Sequence, residues 1–110
     1  MSLSPEALED LRRRVRRFID TEVIPLEPLD APEAGLPGER LAALRRKARD
    51  AGVWAPQLPT EYGGIGLSLV ETAPLFEEAG RSPLGPLALH CAAPDEGNMH
   101  LLLRAATPEQ

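Results

Sequence analysis

SPEALEDLRRRVRRFIDTEV, residues 4–23, carries its apolar side chains at Leu8, Leu11, Val15, Phe18, Ile19 and Val23. Steps of three and four residues place them on one stripe of an α-helix. Ser4 before Pro5 reads as an N-cap followed by a first-turn proline, and Glu6, Glu9 and Asp10 suit the positive end of the helix dipole. Pro25 predicts the end, because the residue before a proline avoids helical geometry. The other face holds Arg12, Arg13, Arg14, Arg16 and Arg17, with Glu9–Arg13, Asp10–Arg14 and Arg16–Asp20 at helical pairing distance. It reads as a solvated, self-paired face rather than a nucleic-acid patch, since no aromatic side chain lies among the arginines to stack on a base.

Beyond that helix, residues 25–38 are rich in Pro and Gly and form a loop. A second helix is predicted over 39–51, with Leu41, Leu44, Ala48 and Ala51 inward, Gly52 as its stop, and Val53 and Trp54 folding back against it. Residues 54–66 hold three glycines and two prolines, the mark of an ordered but irregular segment in which at least one of Gly63, Gly64 and Gly66 takes positive φ. Ser68 and Glu71 form a capping box opening a third helix that closes at Gly80, with Pro74 expected to bend it. A weaker helix is predicted over 83–92 and another from Pro94 to about Ala105. Thr107 to Gln110 read as an N-cap and first turn where the sequence stops, which is expected of a fragment. The sum is an all-α, four-to-five-helix bundle in a single domain, 1–110, with Leu8, Leu11, Val15, Phe18, Leu41, Leu44, Val70 and Phe76 in one core.

Composition agrees. In 110 residues, 43% are apolar and only 4% aromatic, so the core must be built of aliphatic side chains. A chain of this length supports one modest core. The lone Cys91 excludes an internal disulfide, and the acidic, polar N-terminus is unlike a signal peptide, which makes a cytoplasmic setting the expectation. No apolar run reaches the ~20 residues of a membrane span. The net charge of −5 is uneven: residues 1–50 balance ten basic against ten acidic groups, whereas 51–110 hold two basic and seven acidic. That half of the chain is a poor partner for nucleic acid.

Candidate chemistry is sparse. The run Gly63-Gly64-Ile65-Gly66 precedes a helix start, where backbone donors can cradle phosphate. It lacks the lysine of a P-loop and the strand and spacing of a dinucleotide fingerprint, so a structural turn is the favoured reading. His90, Cys91 and His100 match no zinc spacing. Cys91 beside His90 or His100 is favoured as a structural cysteine over a nucleophile and its base, because successive helical side chains diverge by about 100°. Glu77 with Glu78 and Asp95 with Glu96 read as solvated or dipole-compensating pairs. No catalytic residue, cofactor site or metal site follows from the residues themselves.

The stretch W-A-P-Q-L-P-T-E-Y-G-G-I-G-L-S, residues 54–68, followed by F-E-E-A-G-R-S-P-L, residues 76–84, resembles the N-terminal domain of acyl-CoA dehydrogenases. The P-x-E-Y-G-G-x-G motif, the helix ending V-I-P-L-E and the helix ending A-G-V-W extend the resemblance over about residues 5–110. The segment from Cys91 to Met99 resembles a subgroup of larger multidomain eukaryotic members and their bacterial relatives. The resemblance implies a longer parent enzyme with this helical domain, a middle β domain and a C-terminal helical domain. It implies FAD as the parent's cofactor, held mainly by the later domains, a catalytic glutamate in the last, acyl-CoA as substrate and electron-transfer flavoprotein as partner. For this chain it implies no FAD, no catalytic residue and no turnover. The expected role is to cover one side of the acyl pocket and pack the other domains, since α-proton removal and hydride transfer both suffer from solvent. Leu87, His90 and Cys91 are the residues the resemblance places along that pocket, with ordinary packing the competing reading for each.

The alternative is a free-standing helical interaction module, or an acidic scaffold. Exposed leucine and valine on the helices after residue 83 distinguish them: a dehydrogenase domain leaves such surface bare for docking and for self-association, whereas a module hides it.

Overall fold

The computed structural model describes residues 3–27 and 36–110. Among these are five α-helices and no strand: α1 (Pro5–Phe18), α2 (Gly38–Asp50), α3 (Leu69–Ala79), α4 (Gly85–Ala88) and α5 (Asp95–Ala105). Principal extents of 41 × 36 × 21 Å make the molecule about two helix diameters thick. The all-α architecture matches the sequence pattern. Most of the loop expected at 25–38 lies outside the described residues.

The Ser4 hydroxyl accepts from the Ala7 amide, as an N-cap should. The first helix does not stay α-helical to its end: after Phe18 it widens into a π-helical turn, Ile19–Val23, and then tightens into a 3-10 turn, Ile24–Leu26, that takes in Pro25. Leu11, Val15, Phe18, Ile19 and Val23 are all buried, so the apolar stripe persists through the change of pitch.

The core joins that stripe to Leu44 and Ala48 of α2, Leu75 and Ala79 of α3, and Val53, Leu84, Ala88 and Leu89. Leu8 packs on it from the edge. Three expected members need correction. Val70 is 81% exposed, while Leu41 and Phe76 are only half-buried and lie outside the cluster. Helix α3 is capped as expected, with Ser68 and Glu71 bonding reciprocally, and continues unbroken through Pro74. The face it turns to α1 carries Thr72, Leu75, Glu78 and Ala79, which leaves Leu69 and Val70 outward.

The charge pairs also differ from helical spacing alone. Arg13 does reach Glu9 at 3.5 Å, but Asp10 also pairs with Arg13, at 3.6 Å, and Asp20 with Arg81, at 2.6 Å. Arg12 bonds both Glu9 and the buried Glu78 of α3, and Arg16 and Arg81 lie within 3.6 Å of Glu78. Part of the arginine face is thus an inter-helix clamp rather than a solvated surface, and Glu78, unlike exposed Glu77, is not a solvated carboxylate. The helix expected over 83–92 shrinks to the four residues of α4, because the chain leaves helical geometry at His90, whose φ is +61°.

Candidate functional site

Three pieces meet at the end of α4: the irregular segment 53–67, the turn 87–91, and α5. The segment is built on its own carbonyls. Ala55 O accepts from Leu58 and Ile65, Pro56 O from Leu67, Leu58 O from Gly66, Pro59 O from Tyr62 and Gly64, and Thr60 O from Gly63. Every amide from Tyr62 to Leu67 is therefore spent inside the segment. Gly63 and Gly66 take φ of +85° and +76°, as the glycine spacing predicts, and Gly64 lies so close to its neighbours that a Cβ would stand 2.2 Å from Leu58 O. The amides of the glycine run are thus spent on the segment's own carbonyls rather than left free to donate to a phosphate. The run is a structural turn.

The turn 87–91 is held from outside. Arg45 Nε of α2 donates to Leu87 O at 2.9 Å, the Ala55 amide to Leu89 O at 2.8 Å, and Gln57 Nε2 to His90 O at 2.8 Å. The His90 ring stacks on Trp54 with centroids 5.0 Å apart and planes 7° from parallel, and the Arg49 guanidinium lies 4.4 Å from the centre of the same indole. Burial, with Arg45 and Arg49 adding to it against the pull of Asp95, holds His90 below the ordinary histidine range. Burial, and then Glu96, pushes the Cys91 thiol up to about 12. A thiol so placed stays protonated at neutral pH and is a poor nucleophile.

Leu87, His90 and Cys91 are thus brought together on one turn, all half-buried, with Leu87 and Cys91 packed against the core. They do not line the apolar groove beside them. That groove, about 410 Å³, is walled by Leu58, Tyr62, Met99, Leu102, Leu103 and Pro108, and α5 presents Leu101, Leu102 and Leu103 at 63%, 52% and 40% exposure. His100 points away to a pair with Glu96 on the same helix, at 2.5 Å. Gln57 links turn and groove, its Nε2 lying 3.7 Å from Met99 Sδ. Sequence reasoning missed Arg45, Gln57 and the groove. Only Met99, Leu102 and Leu103, spaced as one helical face, carried a signal for it. Among the described residues no three His, Cys, Asp or Glu side chains gather as a metal site, and no helix is long and apolar enough to cross a membrane.

Comparison with known proteins agrees with this architecture. Residues 5–110 match the family model "Acyl-CoA dehydrogenase, N-terminal domain". The chain is 37% identical over 122 residues to mouse "Acyl-CoA dehydrogenase family member 10", an overlap of 98% of this chain and 11% of that protein. It is also 37% identical over 117 residues to "Probable acyl-CoA dehydrogenase FadE2" of Mycobacterium tuberculosis, covering 99% of this chain and 28% of that one. The fold superposes, with a TM-score of 0.79 and 40% identity, on "Structure of a putative acyl-CoA dehydrogenase from Mycobacterium abscessus", over 100% of this chain and 30% of that chain. The chain thus spans less than a third of the length of each of these relatives. With residues 5–110 matched and the helices superposed, the chain belongs to the acyl-CoA dehydrogenase family as its N-terminal helical domain.

Proposed function

We propose that this chain serves a flavin-dependent acyl-CoA dehydrogenase, which oxidises the bond between the α and β carbons of an acyl-CoA thioester and passes electrons to an electron-transfer flavoprotein. Within it, these 110 residues cover one side of the acyl pocket and pack the other domains. They hold no FAD and turn over no substrate by themselves. The observation that carries the reading is the apolar surface along α5 and its groove, which nothing in the described residues covers. The free-standing module would hide those leucines. The turn 87–91 supports the same role: a thiol that stays protonated and a histidine held toward its neutral form suit packing beside a fatty chain and not acid–base work. Flavin would accept the hydride, its pyrophosphate held by the other domains; a glycine run whose amides bond within their own segment supports that division.

Titration of the 110-residue chain with FAD, followed by flavin fluorescence, is expected to show no saturable binding. A longer protein containing the chain should reduce an artificial electron acceptor when given acyl-CoA. Micromolar FAD affinity or turnover by the 110 residues alone would overturn the covering role. A longer protein inert toward acyl-CoA of every chain length would overturn the activity.

A further inference from the structure

We propose that Arg45 and Gln57 are positioning residues that set the acyl-chain preference of the protein, because they fix the turn 87–91 from outside; this rests on the reading that the turn faces the acyl chain. Helix α4 is only four residues long, and its C-terminal turn closes on itself through three backbone bonds, Leu89 N–H to Gly85 O, His90 N–H to Leu87 O and Cys91 N–H to Pro86 O, a short set for a helix that is costly to nucleate. The turn is further burdened by His90 in the left-handed region, which persists in a non-glycine residue only where surroundings over-determine it. Here three donors from distant parts of the chain converge on three of its carbonyls: Arg45 Nε on Leu87 O, the Ala55 amide on Leu89 O and Gln57 Nε2 on His90 O. One is backbone. The other two are side chains, and only these can vary the turn without altering the path of the chain.

Gln57 carries the argument further. Its Oε1 is buried with no protein hydrogen-bond partner among the described residues. The amide acts through its Nε2, which holds the His90 carbonyl and touches Met99 of α5. Through that one group the depth of the turn is coupled to the wall of the apolar groove. Loss of Gln57 frees the His90 carbonyl, and loss of Arg45 leaves Leu87 O only the 3.3 Å bond from the His90 amide, so that Leu87, His90 and Cys91 can shift. A hydrophobic pocket resolves acyl chains by where its floor stands.

The test uses the longer protein containing this chain, with Gln57→Met, which keeps the length and removes the donor, Arg45→Met, and Arg45→Lys, which keeps a cation able to donate. The readout is kcat/KM across saturated acyl-CoAs of increasing chain length, beside Tm for each variant. Gln57→Met and Arg45→Met are expected to change the ratio of long-chain to short-chain kcat/KM by about 10-fold, the low end of what one methylene carries in such a pocket. Arg45→Lys should restore most of the original profile. A profile that keeps its shape in both methionine variants, even with a lower Tm, would show a merely structural role and overturn the inference. Gln57→Glu, which sets a carboxylate against the His90 carbonyl, gives the same reading if Gln57→Met does not fold. A wild-type protein that oxidises no acyl-CoA would instead defeat the functional reading itself.

Discussion

A single carbon added at Gly64 would stand 2.2 Å from Leu58 O and 2.6 Å from Ala55 O, both backbone atoms that accept hydrogen bonds within the segment. Neither can yield without breaking the pattern that closes residues 55–67. Gly66 differs: its φ is +76°, but the nearest side-chain atom to an added Cβ is Thr60 Cγ2 at 3.5 Å. Both Gly64→Ala and Gly66→Ala should therefore destabilise, Gly64→Ala more, by at least the roughly 1–3 kcal/mol typical of overpacking. Urea denaturation decides it, and equal Cm values for Gly64→Ala and wild type would show that the segment is looser than its hydrogen bonds indicate. At His90 the test is pH. Because burial holds its folded pKa below the unfolded 6.5, the unfolded state binds more protons as pH falls through 6.5. Stability from this group is complete above that value, declines below it, and levels off beneath the folded pKa. His90→Asn tolerates the left-handed backbone and does not titrate. Its Tm should vary less than wild type between pH 7.5 and 5.5; parallel curves would remove His90 as the cause.

Helix α3 shows what an element's sequence does and does not reveal. Its capping box marks the start unambiguously, because Ser68 and Glu71 satisfy each other's backbone with no help from the rest of the fold. Its buried face is another matter. Leu69, Val70, Leu75 and Phe76 lie on two sides of the helix, and only packing against α1 selects the side with Leu75. Leu75→Ala is expected to cost about 2–5 kcal/mol, whereas Val70→Ala should stay within about 0.5 kcal/mol. Chemical denaturation of both variants tests the register, and the reverse order would refute it. The same limit applies to Glu78, whose partners Arg12 and Arg16 are more than sixty residues away in sequence, and to Arg45 and Gln57, whose acceptors are backbone carbonyls with no sequence signature. Helix starts, the apolar stripe of α1 and the glycine turn were legible because each is a local, self-sufficient pattern. The length of α4 was not, since it ends on a strained residue that only tertiary contacts sustain.

At the scale of the whole molecule, the unusual quantity is apolar surface on α5. Successive helical residues step by about 100°, so Leu101, Leu102 and Leu103 together spread over roughly 200° of the helix, whereas docking onto a domain needs a stripe of about 100°. Whichever side faces the groove, another remains in water, and exposures of 63%, 52% and 40% show the surplus directly. In solution such a surface lowers its free energy by meeting another one, at about 25 cal/mol for each Å² of apolar area removed from water. The 110-residue chain should therefore associate as its concentration rises. Leu101→Gln with Leu102→Gln should keep it monomeric without lowering Tm, because neither leucine belongs to the core. Sedimentation velocity across a range of concentrations is the measurement. A wild-type chain that stays monomeric throughout would mean that α5 hides its leucines in solution, which is the behaviour of a free-standing module and not of a domain shaped to be covered.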